Sequence, residues 1–193
     1  MKFTQIPADT FQSLQLNAGV LASEFTPATG ELTAANILGA TTGGVTFNAT
    51  PSFSDFGDDI DNCPKNMMEL KKLDSWEVKL TGTFATMTAA LAKRIIGAAD
   101  VATDKVTPRN DVATTDFSDL WWIGDYSDKN GDTNGGFVAV HMLNGLSTGG
   151  FQIRSTDKGK GNFAFEFTGH YSQAAQSTVP FEVYVHAGTA EGA

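Results

Sequence analysis

Apolar and polar residues alternate with a period of two through most of this chain and follow a helical period only once. Val45, Phe47, Ala49, Pro51 and Phe53 fall on one side, with Thr46, Asn48, Thr50, Ser52 and Ser54 on the other. Trp76, Val78, Leu80, Gly82 and Phe84 oppose Glu77, Lys79, Thr81 and Thr83 in the same way. Successive side chains of a strand point to opposite faces, so each segment predicts a strand with one face on a core and one in solvent. Pro51 has no N–H to donate, which places an edge or a bulge near it. Leu14, Leu16, Ala18, Val20 and Ala22 alternate with Gln15, Asn17, Gly19, Leu21 and Ser23, a further strand. Residues 120–126, 137–143, 151–155, 163–171 and 179–186 add others, with Phe163, Phe165 and Phe167, then Phe181, Val183 and Val185, expected to face the core.

The helical period follows the second clean strand. Met87, Ala90, Leu91, Ile95 and Ala98 share a face, Thr86 or Thr88 can cap the start, and Lys93 and Arg94 suit the C-terminal dipole. Gly97 is expected to weaken this helix by up to about 1 kcal/mol relative to Ala. Residues 101–116 are polar and turn-rich and read as a loop. Six to eight strands and one helix predict a mainly β chain: an antiparallel β-sandwich or barrel with one flanking α-helix, as a single domain over 1–193.

Composition sharpens this outline. At 193 residues the chain has length for one sizeable core, not two full domains. Charged residues are 18%, against about 25% in an average globular protein. The surface is therefore rich in Thr, Ser, Asn, Ala and Gly, weakly protected against association, and its partial burial in an oligomer is expected. The net charge is −9. Lys71-Lys72, Lys93-Arg94 and Lys158/Lys160 are too short as basic clusters to track phosphates. Cys63 is the sole cysteine, so no intrachain disulfide forms. No run approaches the roughly 18 apolar residues of a membrane span, which predicts a soluble protein made in the cytoplasm.

The sequence is poor in catalytic chemistry. Asp128, Asn130, Asp132 and Asn134 resemble the start of a calcium loop, but Thr133 and Ala139 stand where Gly and Glu are required. That segment reads as a hairpin turn. Asp55, Asp58, Asp59 and Asp61 are dense but lack a fixed ligand spacing, so no metal is expected. His141, His170 and His186 lie in predicted strands or at their ends, with no nucleophile turn nearby in sequence. Trp121-Trp122 could stack on a sugar or base, yet neighbours in a strand point oppositely, so one is expected in the core. No phosphate-binding glycine loop is present, and neither a catalytic site nor a cofactor is expected. The acidic segment 55–73 exceeds the roughly 12–15 residues usual for a structureless connection. Its Met67, Met68 and Leu70 would be exposed in a free loop, so ordering by a partner is the expectation.

The order of these pieces resembles the major tail tube proteins of long-tailed bacteriophages, which are related to the tubes of type VI secretion. The likeness rests on the segment from Leu16 to Val20, the Gly44–Asn48 strand, the acidic loop and the Trp76–Phe84 strand running straight into a helix. It continues in the late segments 142–151 and 165–170. The resemblance implies a β-sandwich or barrel with a flanking helix, six-subunit rings stacked into a tube, and DNA passing down the lumen without specific binding. It implies a place in the virion tail, with assembly in the host cytoplasm. Implied partners are further copies of the chain and the tail tip, tape measure and tail terminator proteins. By position, an N-terminal arm over 1–11 (Phe3, Ile6, Phe11) and the 55–73 loop would contact neighbouring subunits or rings, and 188–193 would form a flexible C-terminus. A conduit for a polyanion should not be sticky, since a fixed cation holds a phosphate. Thr46, Asn48, Thr50, Ser52, Glu77, Lys79 and Thr81 are the candidate lining, where Lys79 fits only if Glu77 pairs with it. A secretion or bacteriocin tube, and a monomeric carbohydrate-binding β-sandwich, are the alternatives.

Overall fold

Two long strands form the spine of the molecule. β1 (Gln15–Ala22) precedes β2 (Thr41–Asp55), which pairs antiparallel with β3 (Lys71–Phe84) from Thr41↔Phe84 to Asp55↔Lys71. The computed structural model describes residues 6, 7, 10, 14–126 and 136–186. Phe3, Phe11, the calcium-like turn residues Asp128, Asn130, Asp132 and Asn134, and the expected C-terminal tail lie outside the described residues. Helix α1 (Ala89–Ile96) follows β3 directly. Then come β4 (Ala99–Ala102), β5 (Lys105–Pro108), β6 (Ser118–Tyr126), β7 (Gly136–Ser147), β8 (Gln152–Arg154), β9 (Asn162–Gly169) and β10 (Phe181–His186).

Eight strands make one antiparallel sheet in the order β1-β6-β7-β9-β3-β2, with β10 on β7 and β8 on β9. β7 belongs to both halves. Residues Gly136 to Met142 pair with β6 and, over Phe137 to Met142, with β10, whereas Leu146 and Ser147 pair with β9. The two halves enclose one apolar layer, an arrangement consistent with a sandwich. Leu21, Leu120 and Met142 come from one half and Val78, Leu80, Phe84, Phe165 and Phe167 from the other, with Leu91 and Ile95 of α1 beside them. Burying each large side chain contributes roughly 1.5–3 kcal/mol. Phe181 of β10 meets Phe47 of β2 and Trp76 of β3 at 5.7 and 5.4 Å between ring centres.

The mainly β, antiparallel architecture with one helix is the one the alternation predicts, but several local readings change. Residues 101–116 are not simply a loop, because β4 and β5 form a separate two-stranded hairpin and Thr114–Asp116 a 3-10 turn. The helix begins at Ala89, capped by the Thr88 hydroxyl, which accepts the Leu91 N–H at 3.2 Å. Ala90 is exposed rather than on the core face, and Gly97 is the C-cap at φ +85, where it ends the helix instead of weakening it. In β1 the register breaks between Leu16 and Val20, with Asn17 at φ 63 and Gly19 at φ 70. That irregularity leaves Leu14 and Leu16 exposed while Leu21 and Ala22 are both buried. Phe165 and Phe167 are core residues as expected, but Val183 and Val185 are exposed. β2 is an end strand with a register shift between Ser52 and Phe53, beside Pro51.

Candidate functional site

The outer face of the β2–β3–β9 layer is polar and continuous. Thr46 stands opposite Thr81, which stands opposite Glu166, and Asn48 opposite Lys79, itself opposite Thr168. Thr50 faces Glu77 and Ser52 faces Ser75. Opposed residues of an antiparallel ladder share a face, so Thr46, Asn48, Thr50, Ser52, Glu77, Lys79 and Thr81 are brought together. Glu166 and Thr168 join them. Their polar alternation against Phe165 and Phe167 was visible in the sequence, but only the β3–β9 register puts them beside Thr81 and Lys79. Thr148 Oγ1 closes this edge, donating to Glu166 Oε1 at 3.1 Å and lying 2.7 Å from Thr168 Oγ1.

The cation on this face is neutralised within its own strand. Lys79 Nζ lies 2.7 Å from Glu77 Oε1, two residues away on the same side. That hydrogen bond, then the charges of Glu77 and Glu166, raises the Lys79 ammonium above its ordinary 10.5. Among the named side chains of this face, carboxylates outnumber ammonium groups.

Beyond the face, the hairpin continues further than its sequence suggested. Asp55 and residues 71–73 are ladder residues, so the connection proper is 56–70. It is ordered by its own hydrogen bonds rather than awaiting a partner for them. The Asp55 carboxylate accepts the Gly57 N–H at 3.0 Å and the Asn66 N–H at 2.9 Å, and Lys71 Nζ donates to Asn66 Oδ1 at 2.9 Å. Those two backbone donors hold the Asp55 carboxyl below its usual 3.8. Phe56 N–H donates to Leu70 O at 3.0 Å, and Asn62 and Asn66 take φ near +60, a conformation asparagine tolerates.

Order does not hide the apolar side chains. Met68 is 81% and Phe56 58% exposed, and Phe53, Ile60, Met67 and Leu73 are exposed beside them, whereas Leu70 is half-buried. Asp58, Asp59 and Asp61 are exposed among them, and only Asp58 approaches an ammonium, Lys65 at 3.9 Å, among the described residues. Ile6, the described member of the expected N-terminal arm, is 65% exposed. Phe53, Phe56, Ile60 and Leu73 were missed as site residues. For Phe56 and Ile60 the signal was an apolar side chain inside an acidic connection. Phe53 and Leu73 are a ladder pair at the end of the strands, and Phe53, expected on the core face, is exposed because the core does not extend that far along the hairpin.

The groups with catalytic potential are engaged structurally. His141 stacks flat on Trp121, ring centres 3.9 Å apart, with Nε2 3.1 Å from Asp119 Oδ2 and Nδ1 3.6 Å from Glu182 Oε2. His170 Nδ1 lies 3.2 Å from Asn144 O, and His186 stacks on Phe137. Trp121 is buried, and Trp122 is half-buried with its indole N–H donating to Ala18 O at 3.0 Å. The two indoles pack against different apolar clusters, as their opposite pointing requires. Among the described residues no group of three or more His, Cys, Asp or Glu is placed to hold a metal ion, and no helix is long and apolar enough to cross a membrane.

These features define a mainly β antiparallel protein whose distinguishing surfaces are a polar sheet face and a projecting apolar hairpin tip. No protein-family model matches the chain, and no curated protein matches it.

Proposed function

We propose that this chain is a structural subunit that polymerises as stacked rings, hexameric by the resemblance noted above, into the tail tube of a long-tailed bacteriophage. The observation that carries the reading is the β2–β3 hairpin. Its outer face presents hydroxyl and amide groups with a self-paired lysine, and its tip holds apolar side chains in solvent on an ordered scaffold. A wall with excess carboxylate repels a passing polyanion and retains no phosphate. An ordered apolar tip is a surface whose burial favours association. The reading assigns the polar face to the lumen and the tip to contacts between subunits or rings. The resemblance further assigns self-association, tail tip, tape measure and tail terminator contacts, and a place in the virion tail.

Electron microscopy of the concentrated, purified full chain tests this directly. Rings or hollow filaments are the expected result. A protein that stays monomeric at all concentrations and also fails to assemble with tail-tip components defeats the proposal, as does an assembled tube with a net positive lumen.

A further inference from the structure

A second exposed apolar patch lies at the opposite end of the same strand pair. Phe151 and Ile153 are exposed on and beside β8, a three-residue strand paired only with β9. Around them stand Arg154, Lys158 and Lys160, against Asp157 as the one carboxylate of that segment. Lys160 Nζ donates to Thr42 Oγ1 at 3.1 Å, and no carboxylate pairs with Arg154 or Lys158 among the described residues. Ile153 and Arg154 line a groove with Thr42, Thr83 and Asn162, whose buried Oδ1 has no hydrogen-bond partner.

The ladder fixes where this patch sits. Ile153 pairs with Phe163, Phe163 with Phe84 and Phe84 with Thr41, so β8 is level with the first residues of β2. The tip begins where β2 ends. Fifteen extended residues separate the two, roughly 45 Å of strand. The tip of one molecule therefore has no access to its own β8 patch.

The two patches complement each other. Each combines exposed apolar side chains with an excess of one charge sign, and the signs are opposite; within the tip only Asp58, among the described residues, has an ammonium near it, Lys65 at 3.9 Å. The tip segment 56–70 carries Asp58, Asp59, Asp61 and Glu69 against Lys65. We propose that the hairpin tip of one copy docks on the β8 patch of a second copy, Ile60 and Met68 covering Phe151 and Ile153 while the aspartates meet Arg154 and Lys158. Unlike patches at opposite ends give a head-to-tail contact that repeats from copy to copy. This deepens the tube reading and rests on it for the biological setting, but the contact is measurable separately.

The test is a cross-linking ladder in the full-length chain. In a Cys63→Ser background, Lys65→Cys marks the tip and Ser155→Cys marks the β8 patch. A short bismaleimide should then join successive copies into dimers, trimers and longer species on a denaturing gel, while either single-cysteine variant stays monomeric. Reversal of the acceptor (R154E/K158E/K160E) or of the tip (D58K/D59K/D61K) in the marked chain should raise the concentration needed for the ladder on the order of tenfold or more. Combining both reversals should restore it. If a reversed chain loses its circular dichroism spectrum, R154Q/K158Q/K160Q replaces it, with the same direction expected. Absence of a ladder in the folded marked chain, or a ladder indifferent to charge reversal, overturns the docking. Hollow filaments without the ladder leave the tube reading standing and remove the docking. A ladder forming open strings without hollow tubes does the reverse.

Discussion

Asp55 shows how one side chain can order a loop of fifteen residues. Its two oxygens satisfy N–H groups from both ends of the tip, Gly57 and Asn66, and each bond favours the ionised form. The folded carboxyl is therefore depressed below 3.8, and its contribution is present above that value and lost as pH falls through the lowered one. Acidification through that lowered value should reduce the protection factors of the Gly57 and Asn66 amides, each referenced to the intrinsic exchange rate at the same pH, while D55A should show the reduced protection already at neutral pH. Asp116 titrates in the same direction, held down first by the Ala113 N–H and then by Arg109, whose guanidinium it grips at 2.6 and 2.7 Å. Gly19 is a steric requirement rather than an electrostatic one. At φ +70, a Cβ there would lie 2.6 Å from both Ile123 O and Trp122 Nε1. Gly19→Ala should cost about 2–4 kcal/mol in urea unfolding, by adding left-handed strain to overpacking.

Elements differ in how plainly the chain declares them. β2 and β3 were legible because one face is buried and one wet, so every second residue reports the same environment. β9 was legible for the same reason, through Phe165 and Phe167. β4 and β5 were not, since their hairpin is exposed on most positions and turns at Thr103, φ 59, without a glycine or asparagine to announce it. In β10 the apolar series Phe181, Val183, Val185 suggested a core face, but only Phe181 reaches the rings of Phe47 and Trp76. Periodicity records which residues share a side, not how far the opposing layer extends. The tip illustrates the same limit: its length and charge could be read from the sequence, but not the Asp55 hydrogen bonds. Two substitutions calibrate element stability. Thr88→Ala should remove the α1 cap and lower stability by about 1 kcal/mol. Phe165→Ala should cost about 3–5 kcal/mol by opening a cavity beside Phe84 and Phe167. Both are read from chemical denaturation.

At the scale of the whole molecule, folding and assembly are separable because the tip lies outside the core. Removing residues 58–70 joins Gly57 to Lys71 and leaves Phe56-Gly57 as a two-residue turn across the existing Asp55↔Lys71 pair. The shortened chain should keep its circular dichroism spectrum and cooperative melting, yet form no filaments by electron microscopy. Normal filament growth by that variant would remove the tip from the assembly surface. β7 imposes a different rule on the molecule as a whole, since its residues are bonded into one half of the sheet at Met142 and into the other at Leu146. Opening of either half disturbs a strand that the other half also uses, which couples the two. Native-state exchange of the Ala139, Val140 and Met142 amides should therefore proceed only through global opening, with one common free energy. The expected behaviour is that of a single cooperative unit across both layers.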